Sequence, residues 1–223
     1  MRSLTSIAAI AAGVSIAFAG SAMATDQTGK IAFWAQNDNA LPGGGFGFVE
    51  GDFPQAADNG DGNGFLTTTF PINNIRSFAG TNLGWPSEGK GDPTSGGSIA
   101  FENQANNGQT FTLNFDASQY LSVNLSFAAQ RTSTGFNNID IVGGADSYLG
   151  NTWPSSFAVF SFDFDSLAGN SNASITFTLD GATSSSGNNR YDNILLTGKV
   201  IPTPGAVALF GLAGVAGLRR RRA

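Results

Sequence analysis

The sequence predicts an all-β protein: an antiparallel β-sandwich with an N-terminal signal helix and a C-terminal hydrophobic helix. Three observations carry this prediction. Apolar and polar residues alternate with a period of two in every clear segment, which gives each strand one core face and one solvent face. Turns rich in glycine and asparagine separate the segments, and none of them shows a helical period. A jelly-roll-like connectivity is favoured, with an immunoglobulin-like one as the alternative.

The first 24 residues have the pattern of a secretory signal peptide. Arg2 provides the positive start, and residues 7–19 form a short apolar run. Ala22 and Ala24 then supply the small-x-small pattern of a cleavage site. A buried N-terminal helix is the alternative, and it does not explain this ending. We therefore expect cleavage by signal peptidase and export of the remaining chain.

Residues 25–199 are long enough for one domain with its own core. Along its strands, Phe, Leu, Ile or Val alternates with Thr, Ser or Asn, so the outer faces carry short polar side chains. The four clear strands are predicted at 111–115, 121–127, 160–164 and 175–179, and six weaker ones at 31–35, 65–70, 75–79, 98–102, 137–142 and 192–197.

The composition excludes several classes of function. The 223 residues include no cysteine and no histidine, which excludes disulfides, thiolate zinc sites and a Ser-His-Asp triad. Without its two ends, the chain keeps six of the 11 basic residues and all 16 acidic residues, a net charge of −10. Such a surface repels nucleic acid, so we expect no nucleic-acid partner.

The C-terminus has three distinct parts. A proline-containing motif breaks the chain, an apolar stretch follows, and a cluster of arginines ends the sequence. The apolar stretch rises about 20 Å as a helix, less than the roughly 30 Å of a bilayer core, so it makes a poor permanent anchor. The motif is Pro202, Thr203, Pro204 and Gly205, the stretch is 206–218, and the cluster is Arg219, Arg220, Arg221 and Arg222.

These three parts together resemble the PEP-CTERM sorting signal of bacterial exported proteins, in a Pro-Thr-Pro variant. The resemblance implies an exosortase as the processing enzyme. It also implies an inner-membrane intermediate, followed by delivery to the cell surface or the extracellular polysaccharide matrix. Thr203 stands where the family motif has Glu, which leaves the exosortase subtype open. A plain C-terminal membrane anchor is the alternative.

Two internal segments resemble the jelly-roll domains of PEP-CTERM proteins: 127–136 and the final strand, 190–198. Similar final strands occur in carbohydrate-binding jelly rolls, where the aspartate often helps to hold a structural calcium. The resemblance therefore implies Asp192 as a calcium ligand, with Glu50 and Asp52 as its expected partners. The alternative is an aspartate that hydrogen-bonds a neighbouring loop. No other cofactor is implied.

Two further groups of acidic residues have spacings that occur in functional sites. Segment 59–64 spaces oxygen side chains as a calcium loop does, but Phe70 stands where a bidentate Glu belongs, so a turn is favoured. Asp163 and Asp165 would share one strand face, as a glycoside hydrolase pair requires. No acidic motif of a jelly-roll hydrolase accompanies them, so a solvated face is favoured. We predict no catalytic residues and no enzyme.

The larger aromatic side chains are candidates for stacking on sugar rings. Trp85 and Trp153 each precede a proline in a predicted loop, which favours exposure, and packing into the core is the alternative. The sequence thus predicts an exported surface or matrix protein with a structural or adhesive role. The alternative is a carbohydrate-binding module for matrix polysaccharide. The candidate aromatics are Trp34, Trp85, Trp153, Tyr120, Tyr148 and Tyr191.

Overall fold

The computed structural model describes residues 27–36, 48, 51–86 and 97–202. The predicted signal peptide, Glu50 and the sorting signal from Thr203 onward lie outside these residues. Within the described ranges, no helix has both the length and the apolar character needed to cross a membrane.

The described residues form twelve β-strands and three short 3-10 turns. Most strands are four to eight residues long, and the last is the longest at 12. The strands are β1 (Thr28–Trp34), β2 (Gln55–Ala56), β3 (Phe65–Thr68), β4 (Ile75–Ala79), β5 (Gly97–Glu102), β6 (Gln109–Phe115), β7 (Asn124–Arg131), β8 (Asn138–Gly143), β9 (Asp146–Asn151), β10 (Ala158–Asp163), β11 (Ala173–Asp180) and β12 (Asn188–Lys199).

The strands form two six-stranded sheets. The first sheet has the order β10-β7-β12-β5-β4, and β1 also pairs with β12. The second sheet has the order β2-β3-β6-β11-β8-β9. Every strand pairing is antiparallel. The prediction of two antiparallel sheets is therefore confirmed, whereas the predicted terminal helices lie outside the described residues.

The first sheet forks along β12. The start of β12 pairs with β5, and its end pairs with β1. Asp192 and Asn193 lie between these two pairings, where the register with β7 also shifts. Asn193 has φ +50, a left-handed conformation that asparagine tolerates better than most residues. The fork therefore leaves room beside Asp192 and Asn193 for a neighbouring loop, and both residues are buried under it.

The two sheets enclose a core that is rich in phenylalanine. Phe111 of the second sheet stacks on Phe101 of the first, with ring centres 4.8 Å apart, and on Phe177 at 4.2 Å. Tyr191 on β12 meets Phe111 edge-on at 5.0 Å. All four rings are at most 1% exposed. The alternation of phenylalanine with threonine on β6 and β11 thus places the aromatic face inward, as predicted.

Several strand boundaries differ from the prediction, and two of the differences change the interpretation of particular residues. β7 begins at Asn124 rather than at residue 121, and Leu121 is 59% exposed in the preceding turn. β10 ends at Asp163, and a 3-10 turn begins at Asp165. The prediction that Asp163 and Asp165 share a strand face is therefore wrong.

Both ends of the domain leave from the same end of the sandwich. Thr28 at the start of β1 pairs with Lys199 at the end of β12. The N–H of Leu121 donates a 2.7 Å hydrogen bond to the Lys199 carbonyl, which ties the turn after β6 to this corner. The turn between β6 and β7 therefore lies beside both chain ends.

Candidate functional site

A cleft of ≈ 310 Å³ opens at one end of the second sheet. Its walls come from the start of β3, the end of β6 and the turn before β11. The side chains combine one exposed and one buried aromatic ring, three amides, one hydroxyl and one carboxylate. The lining residues are Gly62, Asn63, Phe65, Asn114, Phe115, Asp116, Ser171, Asn172 and Ala173.

Phe65 provides the apolar surface of the cleft. It is the first residue of β3, and its neighbour Leu66 is fully buried. Because side chains alternate along a strand, the burial of Leu66 turns Phe65 outward, where it is 41% exposed. An exposed phenyl ring in a concave site is a surface on which a flat, partly apolar ligand can pack.

Short polar side chains surround this ring. Asn114 on β6 pairs with Phe65 across the ladder, and its Nδ2 donates to Thr67 Oγ1 at 3.2 Å. On the other wall, the N–H of Asn172 donates to Asn170 Oδ1 at 2.8 Å, which fixes the turn before β11. The Asn114 amide and the turn that carries Asn172 are therefore held in place on two walls of the cleft.

Asp116 is the charged residue that lines the cleft. Hydrogen bonds from the Ser118 side chain and backbone hold the pKa of Asp116 below its usual value. The Ser118 N–H donates to Asp116 Oδ1 at 2.8 Å. Asp116 is therefore ionised throughout the neutral range.

Segment 59–64 forms one wall of the cleft as a turn, the alternative that the sequence favoured. The Gly62 N–H donates to the Ile31 carbonyl at 2.8 Å, and the Gly62 carbonyl accepts the Asp116 N–H at 2.8 Å. A Cβ on Gly62 would lie 2.6 Å from Ile31 Cγ2. Glycine is therefore required here because the turn packs directly on β1.

Trp153 is a core residue rather than an exposed aromatic. It is 2% exposed, and its Nε1 donates to the Tyr191 hydroxyl at 2.9 Å. Its ring packs against Phe160 at 4.4 Å. A buried indole presents no face to a sugar, so the structure does not place Trp153 at a ligand surface.

The other aromatic candidates also lie outside the cleft. Trp85 is half-buried and meets Phe33 edge-on at 5.6 Å, so its role in ligand binding stays a prediction. The Tyr148 hydroxyl donates to the Asp163 carbonyl at 2.6 Å. Trp34, Tyr120 and Tyr191 are buried. None of these residues lines the cleft.

Asp192 hydrogen-bonds a neighbouring loop, which is the alternative that the sequence left open. It is 1% exposed, and its Oδ2 accepts the Thr81 N–H at 2.6 Å, while its Oδ1 accepts the Asn193 N–H at 2.7 Å. Asn193 Nδ2 donates to the carbonyls of Thr81 and Leu83, both at 2.8 Å. Together these two side chains hold loop 81–83 in the fork of the first sheet.

The described residues around Asp192 do not fit a calcium site. Calcium takes six to eight oxygen ligands. The Thr81 and Leu83 carbonyls already accept from Asn193 Nδ2. Among the buried side-chain oxygens of the described residues, Asn189 Oδ1 and Asn193 Oδ1 are left without a hydrogen bond. Asp52 precedes β2, in the other sheet. The described ranges contain no cluster of three metal-ligating acidic side chains, and calcium binding stays a prediction.

Comparison with known proteins identifies no family. The sequence matches no protein-family model and no curated protein. Among solved structures, TmCBM61 in complex with β-1,4-galactotriose has 7% identity and a TM-score of 0.36, over 60% of this chain and 86% of that one. The N-terminal cellulose-binding domain of Cellulomonas fimi β-1,4-glucanase C has 17% identity and a TM-score of 0.35, over 60% and 93%.

A third solved structure is larger than this chain. The enzymatically active domain of tailspike protein 4 from bacteriophage CBA120 has 16% identity and a TM-score of 0.41, over 62% of this chain and 19% of that one. Structural similarity at this level carries no information about the function of this chain.

Sequence reasoning missed the residues that form the cleft, among them Phe65, Asn114, Asp116 and Asn172. One signal was available: Phe65 and Leu66 are adjacent apolar residues at the start of a strand, so one of the two has to face outward. The sequence could not show which of them does, because that depends on the register of β3 against β6.

Proposed function

We propose that the β-sandwich binds carbohydrate in the cleft at Phe65. The observation that carries this proposal is the exposed phenyl ring set among amide and carboxylate side chains. Sugar rings present apolar C–H faces and polar hydroxyl rims. The phenyl ring offers a surface for such a face, and Asn114, Asn172 and Asp116 offer hydrogen-bond partners for the rim.

The cleft supports binding rather than catalysis. Glycoside hydrolysis normally needs two carboxyl groups that flank the scissile bond. Among the described lining residues, Asp116 is the only one with a carboxyl group. Its pKa is lowered, whereas a catalytic acid at neutral pH needs a raised one. Binding without turnover agrees with a structural or adhesive role.

We further propose that the chain is an exported protein of the cell surface or extracellular matrix, with a jelly-roll-like connectivity. The support for export is the sequence pattern of the two ends, which resemble a signal peptide and a PEP-CTERM signal processed by an exosortase. Its partners would then be signal peptidase, exosortase and the matrix polysaccharide. Thr28 and Lys199 pair at one corner of the domain, so the two chain ends leave the domain close together.

Replacing Phe65 by alanine should weaken carbohydrate binding by about two- to tenfold, because stacking on an aromatic ring contributes about 0.5–1.5 kcal/mol. A glycan array on the wild-type domain would first identify a ligand, and calorimetry would then compare the dissociation constants. Leu149→Ala is the matched control, since Leu149 is 67% exposed on β9 at the far edge of the same sheet. Equal losses in the two variants would argue against the cleft.

Intact mass spectrometry of the protein from its native cells should show a product that begins at Thr25 and ends near Thr203. Signal peptidase is expected to cut after Ala24, and exosortase near Pro202–Gly205. A chain that still carries Arg222 would instead indicate a plain membrane anchor.

A further inference from the structure

We infer that the cleft selects sugars with a free amine over neutral sugars, and that it rejects uronic acids. This inference rests on the proposed carbohydrate-binding function and names its substrate class. Its basis is a negatively charged side chain in the cleft and the distribution of positive charges over the two sheets.

The charge inside the cleft is negative. Asp116 lines the cleft, and its lowered pKa keeps it ionised even at mildly acidic pH. Asp61 directly precedes Gly62 of the cleft wall but does not itself line the cleft. A bound ligand therefore meets the charge of one carboxylate, Asp116.

The positive charges of the described residues all lie on the first sheet. Arg76 on β4 pairs with Glu102 at 2.9 Å, and Arg190 on β12 lies over the Phe78 ring at 4.2 Å. Lys30 on β1 has its ammonium group 5.8 Å from the Phe33 ring centre. Arg131 and Lys199 are on β7 and β12. The second sheet, which carries the cleft, therefore contributes no described lysine or arginine. Lys30 of the first sheet adjoins the cleft wall, because its carbonyl accepts the Asp61 N–H at 3.1 Å.

This charge distribution separates three kinds of sugar. A protonated amine gains from the Asp116 carboxylate, a neutral hydroxyl gains only a hydrogen bond, and a uronate meets like charge. An exposed ion pair is a weak interaction, so the amine form should bind about two- to threefold more tightly than the neutral form. Surface interactions of this kind are screened by salt, so the preference should shrink at high ionic strength.

The test uses three oligosaccharides of one length and one linkage that differ only in a hydroxyl, an amine or a carboxylate substituent. Calorimetry at mildly acidic pH and low salt should give about two- to threefold tighter binding for the amine form than for the neutral form. The carboxylate form should bind more weakly than both. Asp116→Asn keeps the shape of the side chain and removes its charge, so it should bring the affinities for the amine form and the neutral form close together.

Asp163→Asn is the control, because Asp163 is an exposed carboxylate on β10 of the first sheet. This variant should retain the amine preference. Equal affinity for the three forms, or a preference that survives in Asp116→Asn, would overturn the inference while leaving carbohydrate binding intact. Failure of all three forms and of a wider glycan panel to bind would overturn the proposed function and this inference together.

Discussion

Replacing Phe111 by alanine should lower the free energy of unfolding by about 3–5 kcal/mol, the usual effect of removing a buried phenylalanine. Phe111 is fully buried and touches both sheets, since it stacks on Phe101 and Phe177 and meets Tyr191 edge-on. Alanine would leave a cavity between the sheets and would also remove three aromatic pairs. Phe111→Leu should be milder because it fills much of that space.

Urea denaturation followed by fluorescence would measure this effect. Phe65→Ala is the matched control, since Phe65 lies on the neighbouring strand and is 41% exposed. It should lower the free energy of unfolding by less than about 1 kcal/mol. If Phe111→Ala and Phe65→Ala were equally mild, the aromatic stack would not be what joins the two sheets.

The strands that could be predicted from sequence are those whose apolar face is buried. On β6 and β11, phenylalanine and leucine or isoleucine alternate with threonine, and the structure buries each of these apolar residues. β9 was not predicted, because it lies at the edge of its sheet and Leu149 points to solvent. For β7 the predicted strand begins three residues too early. Leu121 continues the alternation of Val123 and Leu125, but it lies in the turn before the strand.

The cleft could not be predicted because its residues are distant in sequence. Phe65, Asp116 and Asn172 meet only through the pairing of β3, β6 and β11. The tryptophans are candidates for sugar stacking by residue type alone. The Trp153 side chain nevertheless lies in the core and donates a hydrogen bond to the Tyr191 hydroxyl. Asp192 was identified from sequence by resemblance, and the structure shows what its carboxylate contacts. These outcomes depend on tertiary packing, which a local pattern does not encode.

The domain should lose stability as the pH rises from about 4 to 7, because Asp192 is buried. Burial raises the pKa of Asp192 from 3.8 to about 7, although backbone hydrogen bonds from Thr81 and Asn193 oppose the shift. Between these two values the folded state holds a proton that the unfolded state has released. Folding is therefore favoured at low pH, by up to about 4 kcal/mol for a shift of this size, and this contribution is lost as the pH passes about 7.

Asp192→Asn separates this effect from the other titrating groups. Asparagine has nearly the same shape and does not titrate, so the variant should lack the loss of stability that the wild type shows between about pH 4 and pH 7. Urea midpoints at several pH values would give the two curves, and Asp163→Asn, which changes an exposed carboxylate, should follow the wild type. Parallel curves for the wild type and Asp192→Asn would show that Asp192 is already ionised in the folded protein. In that case the hydrogen bonds from Thr81 and Asn193 would offset the effect of burial on its pKa.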